Sequence, residues 1–389
     1  MAVAGSRSSG RCDMGIKLEV GPSPVDERWP GVSVVVPPLP SQVEWLRPSG
    51  ETLLALERAS RALGRIDGAY RAARAPEASI YATLALEALA SVAVHGEAAS
   101  WSKLRYALAA APVAGSLQTS HDRTARHLQK AIGLTGSTGR GGDPAWVHTF
   151  EAALTWWPSA MRKGRMPERF ASDLISDLCS WVNDGKQPAL VKASIAMMVA
   201  AATDPDCPDT AIVARELFAV VLEGAGGIDR WCAPAISAWF AHDRGSWSLV
   251  ATALAGEGEP DPVAVDTGLR AVFDAVTRSA NSGAFGVEWA SKDAVRLIES
   301  APVKLTRKQQ VLVEVLVGTP ALSPLYVPAL LGVTERGARR IIKTVLDSGL
   351  AVERLNPRGD PYLMAPHGMR AWLTAVAAYQ VPGMPDTEV

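Results

Sequence analysis

Cysteine is scarce in this chain: four in 389 residues, Cys12, Cys179, Cys207 and Cys232, with no C-x-x-C spacing. That scarcity excludes a disulfide-dense scaffold and a cysteine zinc site, and it reads as reduced cytosolic thiols. The six histidines (His95, His121, His127, His148, His242, His367) fall into neither H-x-x-x-H nor H-E-x-x-H spacing. No metal centre is expected from them, because His121 and His127 stand on nearly opposite faces of any helix. No apolar run approaches the roughly 20 residues needed to cross a bilayer, and the N-terminus carries no apolar signal core. The expectation is a cytoplasmic protein with no membrane partner and no cofactor. A formal net charge of −1 excludes a general binder of polyanions. The glycine-rich GSTGRGGD at 136–143 is followed by no Lys-Ser/Thr, so it reads as a flexible linker and not a phosphate loop. The acidic run DPDCPD at 204–209 lacks the regular ligand spacing of a cation loop and reads as an exposed turn capping the next helix.

What the chain does have is apolar residues, 48% of the total, at helical spacing. Residues 1–20 are expected to be a disordered N-terminus. Residues 21–48 hold seven prolines (Pro22, Pro24, Pro30, Pro37, Pro38, Pro40, Pro48) and should form an extended arm lying on the body. From 51 to 73 Leu53, Leu54, Leu56, Ala59, Leu63 and Ile66 recur as a helix face. Further helices are expected at 76–94, 100–111, 145–156, 167–183, 188–202, 210–223, 230–242, 246–255, 262–282 and 288–299. Tryptophan is abundant, at twelve. Most (Trp146, Trp156, Trp157, Trp181, Trp231, Trp239, Trp247) fall in these helices, where core packing is the plain reading. The adjacent Trp156 and Trp157 cannot both face one core, so one of them should line a pocket or a partner surface. No strand pattern precedes Leu350, so the body reads as all-α.

Residues 306–366 have the order of a winged helix-turn-helix. TRKQQVLVEVLV (306–317) is a first amphipathic helix and PLYVPALL (324–331) a short second one. Gly332-Val333-Thr334 is the turn, and residues 335–349 form a third helix with a glycine stop. AVERL (351–355), NPRGDP (356–361) and YLM (362–364) then read as strand, turn and strand, a two-stranded wing. Ala301-Pro302 reads as the linker to it. Between Pro302 and Arg370 there are ten basic and five acidic residues, an excess of five, in a chain whose formal net charge is −1. In the third helix Arg336, Arg339, Arg340 and Lys343 stand at i, i+3, i+4 and i+7, along one face. Ala338, Ile341, Val345 and Leu346 stand on the other, to pack on Leu312, Leu316, Leu330 and Leu331. Arginine meets guanine O6 and N7 with two parallel bonds, so Arg336 with Arg339 or Arg340 are the expected base readers. Lys343 and Arg307 or Lys308 should meet phosphate. Thr334 should cap the third helix and leave its neighbouring N–H groups for a phosphate. Arg354 and Arg358 belong to the wing, near the minor groove or the backbone. Double-stranded DNA is the expected partner, and one such module covers so little DNA that a homodimer reading two half-sites is expected.

Four stretches of the body, in order, carry a resemblance: VPPLP (36–40), RALGRIDGA (61–69), EALASVAVHGEAAS (87–100) and APAISAWFAHDR (233–244). They resemble the proline arm, the ALGRLDGA helix, the inhibitory helix (EAxxSSxIEGTxAS) and the PxLSxYFxxxR helix of the Fic family. Members of that family are all-helical proteins that typically transfer AMP from ATP onto protein hydroxyls, and many end in a winged helix. The resemblance implies a Fic-like helical bundle, with the catalytic loop HPFx[D/E]GNGRxxR falling on TDPDCPDTAIVAR at 203–215. There Asp204 stands for the general-base His, Pro205 matches and Asp206 replaces Phe. Asp209 and Ala211 replace the two glycines, Ile212 replaces the first Arg, and Arg215 matches the second. Three acids in place of a phosphate cradle repel a triphosphate. The inhibitory Glu is likewise His95, between matching Ser91 and Gly96. Loss of both the catalytic loop and its inhibitor implies a body without catalytic residues.

The fold expected is thus an all-α body followed by a small winged helix-turn-helix. The proline arm and N-terminal helices span 21–110, the degenerate Fic-like core 111–300, the winged helix 301–370, and a helix end and tail 371–389. The function expected is a DNA-binding transcriptional regulator, its body serving dimerisation or the binding of a small-molecule or protein ligand. Alternatives are an atypical Fic-type AMP transferase and a non-catalytic protein-binding scaffold.

Overall fold

A computed structural model describes residues 17–20, 32–35, 48–96, 186–202, 208–225, 228, 233–255 and 260–366, with side chains excepted in 17–20, 32–35, 92 and 208–213. The helices expected at 100–111, 145–156 and 167–183 lie outside these residues. So do the 136–143 loop, all four cysteines, His121, His127, His148, His367, Asp204, Pro205, the five tryptophans between 146 and 231 and the tail from 367.

The described chain is mostly helical, with a small antiparallel pair of strands near its C-terminal end. Two short strands nevertheless come first: β1 (Lys17–Val20) pairs antiparallel with β2 (Val32–Val35), Lys17 opposite Val35. This corrects the expectations of disorder through residue 20 and of no strand before Leu350. Both strands are only four residues long and the prolines around them dominate the local pattern, although KLEV and VSVV are themselves rich in β-forming residues.

The body is built on α1 (Gly50–Ala72), α2 (Pro76–Ala93), α3 (Ala189–Ala202), α4 (Pro208–Gly224), α5 (Ile236–His242), α6 (Arg244–Thr252) and α7 (Pro262–Glu299). α1 starts at Ser49, whose hydroxyl accepts from Thr52 N at 3.2 Å while its own N and Oγ each donate to Asp266 of α7 at 2.8 Å. The two helices then run side by side in the same direction, joined by Arg65 to Asn281 (2.6 Å) and Arg74 to Glu299 (2.9 Å). Between them pack Ala55, Ala59, Ala62, Leu63, Ile66 and Tyr70, one face of α1. α3 is buried at every position from Leu190 to Ala202, the signature of a helix wrapped on all sides.

α7 corrects a second expectation. Asn281-Ser282-Gly283-Ala284-Phe285-Gly286 reads locally as a break between two helices, yet the helix runs unbroken for 38 residues, about 57 Å at 1.5 Å per residue. Each glycine costs a helix interior about 1 kcal/mol relative to alanine. Here Gly283 and Gly286 are buried on the packed side, near Ala280 and Val287, which join Ala62, Ile66, Tyr70 and Ile80 in one cluster. Tertiary packing overrides the local preference. Smaller shifts follow the same logic: α5 begins at Ile236 because Ala233–Ala235 are non-helical around Pro234, and α6 begins at Arg244 because Asp243 caps it through Ser246 N (3.2 Å).

The winged unit comprises α8 (Arg307–Gly318), a 3-10 turn (Pro324–Tyr326), α9 (Val327–Leu331), α10 (Glu335–Asp347), β3 (Val352–Leu355) and β4 (Pro361–Met364). It does not hang from a linker at 301–302. α8 lies against α2, and its core runs without interruption into that of the body. At Gly318 a Cβ would overlap Ala78 O and stand 2.9 Å from both Ala82 N and Tyr81 Cβ, so backbone meets backbone there. Among the described residues no helix is long and apolar enough to cross a membrane, and no cluster of His, Cys, Asp and Glu could hold a metal ion.

Gly318→Ala should therefore force the seam apart and cost about 1–3 kcal/mol, read as a fall of several degrees in Tm by calorimetry. Gly64→Ala, on the exposed side of α1 with nothing within 4 Å, should leave Tm unchanged or raise it. Equal behaviour of the two variants would remove Gly318 from the seam.

Candidate nucleic-acid interface

Local rules build the winged unit. Thr306 opens α8, its N donating to Gln309 Oε1 at 2.7 Å. The second helix, expected as one element over 324–331, is split. Ser323 and Pro324 start a 3-10 turn, and only Val327–Leu331 is α-helical, with Pro328 in its first turn. Gly332 ends α9 in the left-handed region (φ 57°, ψ 51°), and Val333 N returns to Pro328 O at 3.0 Å. Thr334 then caps α10, its Oγ1 accepting from Gly337 N at 3.2 Å, as expected from sequence.

α10 divides by face. Ala338 and Val345 are buried, and Ile341, Ile342 and Leu346 pack partly buried on the core that contains Leu312, Leu316 and Leu331. Arg336, Arg339, Arg340 and Lys343 are all exposed on the other face. Arg339 approaches Glu335 at 3.7 Å and Lys343 meets Asp347 at 2.9 Å, both pairs open to solvent. Such pairs contribute at most about 1 kcal/mol and exchange readily for a phosphate or a base edge. Arg336 and Arg340 have no ion-pair partner among the described residues.

The wing is held by Asn356, a buried side chain that the sequence reading passed over as a turn residue. Its Oδ1 accepts from Arg358 N (2.9 Å) and Asp360 N (2.8 Å), and its Nδ2 donates to Asp360 Oδ2 (2.9 Å). Gly359 closes the turn at φ 87°. The exposed Arg354 and Arg358 are thus carried on a fixed hairpin. β3 and β4 pair antiparallel, Val352 opposite Met364. A bridge of Leu322 to Leu363 (2.9 and 2.8 Å) ties the hairpin back to the loop before the 3-10 turn. A single bridging residue leaves no period in sequence.

Two expected phosphate contacts are otherwise engaged. Lys308 Nζ donates to Gly332 O at 3.2 Å, bracing the turn from α8. Arg307 Nη1 donates to Glu314 Oε1 at 2.5 Å, and its Nη2 lies 3.5 Å from Glu77 of α2. Glu314 is 1% exposed and accepts at Oε2 from Glu77 N (3.2 Å), near the start of α2. Burial raises the Glu314 carboxyl above its ordinary value, while the Arg307 guanidinium pulls it down. Arg307 is thus a clamp between the winged unit and the body, which a reading of α8 alone could not reveal.

The positions that carry the family resemblance converge elsewhere, at the far end of α2. Arg215 of α4 is buried and donates from Nη2 to Ser91 O at 2.8 Å, 124 residues away in sequence. Its guanidinium carbon stands 4.7 Å from the centre of the Trp247 ring, and the His95 ring meets the same tryptophan edge-on at 6.5 Å. Burial lowers the Arg215 pKa to about 10, against the raising influence of Glu87 and Glu216, so it stays cationic at neutral pH. Arg215 Nε and Nη1 are buried and have no hydrogen-bond partner among the described residues. Gly96 turns at φ 80°, where a Cβ would stand 3.3 Å from Arg244 Nη1. Glu87 accepts from Ser237 N at 3.0 Å and from its hydroxyl, joining α2 to α5. Asp209 falls in the first turn of α4, its side chain outside the described residues. No protein-family model matches the chain, and no curated protein matches it.

Arg307→Ala leaves the buried Glu314 charge without its cation and should cost about 2–4 kcal/mol, read by denaturant unfolding. Lys308→Ala should cost under about 1 kcal/mol. Arg307→Ala with unchanged stability but weakened DNA binding would return Arg307 to the interface.

Proposed function

We propose that this chain is a DNA-binding transcriptional regulator whose Fic-like helical body is catalytically inactive. One observation carries the DNA reading. The exposed face of α10 presents Arg336, Arg339, Arg340 and Lys343 together, while its opposite face is used up in packing. The capped N-terminus at Thr334 and the rigid hairpin bearing Arg354 and Arg358 flank that face. In this reading α10 enters the major groove, Arg336 with Arg339 or Arg340 reads guanine edges, and Lys343 with the wing arginines meets phosphates. Arg307 and Lys308 support the unit and are not its main contacts.

Arg215 meets Ser91, and with His95 it meets Trp247, while Gly96 lies against Arg244; this supports a Fic-like body, since two of the stretches that carry the resemblance come together with the loop position it implies. Its inactivity rests on the residues at the catalytic-loop positions. Asp204, Asp209, Ala211 and Ile212 leave neither a His base nor a glycine cradle. We place such a protein in the cytoplasm, where its DNA would be.

Duplexes enriched from a random pool by the full chain provide the probe. Arg339→Ala combined with Arg340→Ala should weaken binding to them at least about 100-fold with Tm nearly unchanged. An enriched pool with no sequence in common, or a double variant that binds as the wild type does, would sink the reading.

A further inference from the structure

Among the described residues, the outward face of α7 touches the rest of the body only where Asn281 accepts from Arg65 and where Arg278 lies over Trp239, and it has no part in the DNA reading. Asp274, Arg278, Phe285, Glu288, Trp289, Lys292 and Arg296 are all exposed along it. With Asn281, their spacing alternates four and three residues (274, 278, 281, 285, 288, 292), the repeat of a helix seam that meets another helix. At its middle Phe285 and Trp289, 53% and 38% exposed, meet at a tilt of 56° with ring centres 6.0 Å apart. An exposed aromatic pair rimmed by charge marks an association surface.

The order of charges says what associates. If two α7 helices cross antiparallel with a two-fold axis at Gly283, each position meets the one equally far on the other side. Asp274 then faces Lys292 of the partner subunit, and Arg278 faces Glu288 of the partner subunit, each contact occurring twice. Phe285 faces Asn281 of the partner subunit, and the two Phe285 rings sit about 6 Å apart along the axis at 1.5 Å per residue, within stacking reach. Arg296 meets Arg270 of the partner subunit only at the two ends of the contact, where each Arg270 is already paired with Glu51 of its own chain. Moving the axis to Phe285 keeps Asp274 opposite Arg296 of the partner subunit but sets Arg278 against Lys292 of the partner subunit nearer the centre, so of these two registers the charges favour the one about Gly283. We propose that this face of α7 is the dimer interface of the chain, an isologous antiparallel helix pair centred on Gly283.

Glu288 and Lys292, paired within the monomer at 2.5 Å, join the network across the axis, and the exposed Arg278 has its guanidinium carbon 4.4 Å from the centre of the Trp239 ring of its own chain. One helix face buries area at the low end of specific interfaces, so the affinity belongs in the micromolar range. The C-terminal ends of the two α7 helices come roughly 50 Å apart at 1.5 Å per residue, a separation on the order of one to two DNA turns. The interface stands whether or not the chain binds DNA.

Sedimentation velocity of the full chain without DNA, from about 1 to 200 μM to bracket a micromolar Kd, tests it. The wild type should pass from monomer to dimer. Arg278→Glu should weaken dimerisation about tenfold or more, as should Phe285→Ser. Arg278→Glu combined with Glu288→Arg should return to within about threefold of wild type, because the swapped charges face each other again. Circular dichroism melting should be alike for all. A wild type that stays monomeric throughout, a dimer indifferent to Arg278→Glu and Phe285→Ser, or a double variant no better than the single would each overturn the assignment.

Discussion

The backbone-to-backbone contact between α8 and α2 is the constraint on which the rest of the arrangement depends. It requires a residue without a Cβ at 318, and it draws Glu314 into a site that is 1% exposed. A carboxylate buried there is tolerable only with donors, and two are present: the Glu77 N–H and the Arg307 guanidinium. The seam therefore combines an apolar, close-packed stretch with one charged clamp. Apolar packing supplies most of the attraction, since a buried ion pair roughly breaks even against its desolvation. The clamp fixes how far α8 slides along α2. With that register set, α10, which packs on α8, and the hairpin tied back to Leu322 have a defined orientation to the body.

α2 is the element that both halves share. Its N-terminal turn meets the winged unit through Glu77, Ala78 and Tyr81. Its C-terminal half meets α4 and α5 through Ser91 and Glu87. At its N-terminal end it is fixed to α7, with Ser79 Oγ donating to Val287 O at 2.8 Å and, just before the helix, Ala75 N donating to Ser291 Oγ at 3.0 Å. The body and the winged unit are thus joined by one continuous helix and not by a flexible connection.

Much of this was legible in sequence, and the failures have physical causes. α1, α2, α3 and α4 emerge from apolar spacing within two residues of their observed bounds, because amphipathic or uniformly apolar runs of this length admit no other regular structure. The winged unit was legible for a different reason: Thr334, Gly332, Gly349 and Asn356 to Gly359 are cap and turn residues with fixed geometric uses. The split second helix, the unbroken α7 and the clamp at Arg307 were not legible. Each depends on a partner more than 30 residues away or on burial that local pattern does not encode. Gly283 and Gly286 look like breakers until the packed body buries them, and Arg307 looks like a surface cation until Glu77 and Glu314 close on it. The exposure of Arg336, Arg339, Arg340 and Lys343 was readable because helix periodicity alone assigns them a face.

In the proposed regulator, charge distribution decides how a chain of net charge −1 could bind DNA at all. A polyanion responds to the nearest several ångströms of surface, since salt screens charges beyond roughly 8–10 Å. The acids of the body therefore do not cancel the cations of α10 and the wing. Nor do Glu335 and Asp347, which pair with Arg339 and Lys343 at opposite ends of the same helix. Such exposed pairs would have to open before either cation met a phosphate. Arg336 and Arg340 stay without an ion-pair partner among the described residues. In the proposed regulator this favours duplexes whose base edges repay the broken surface pairs over duplexes that offer phosphate alone, which is the distinction between specific and non-specific binding.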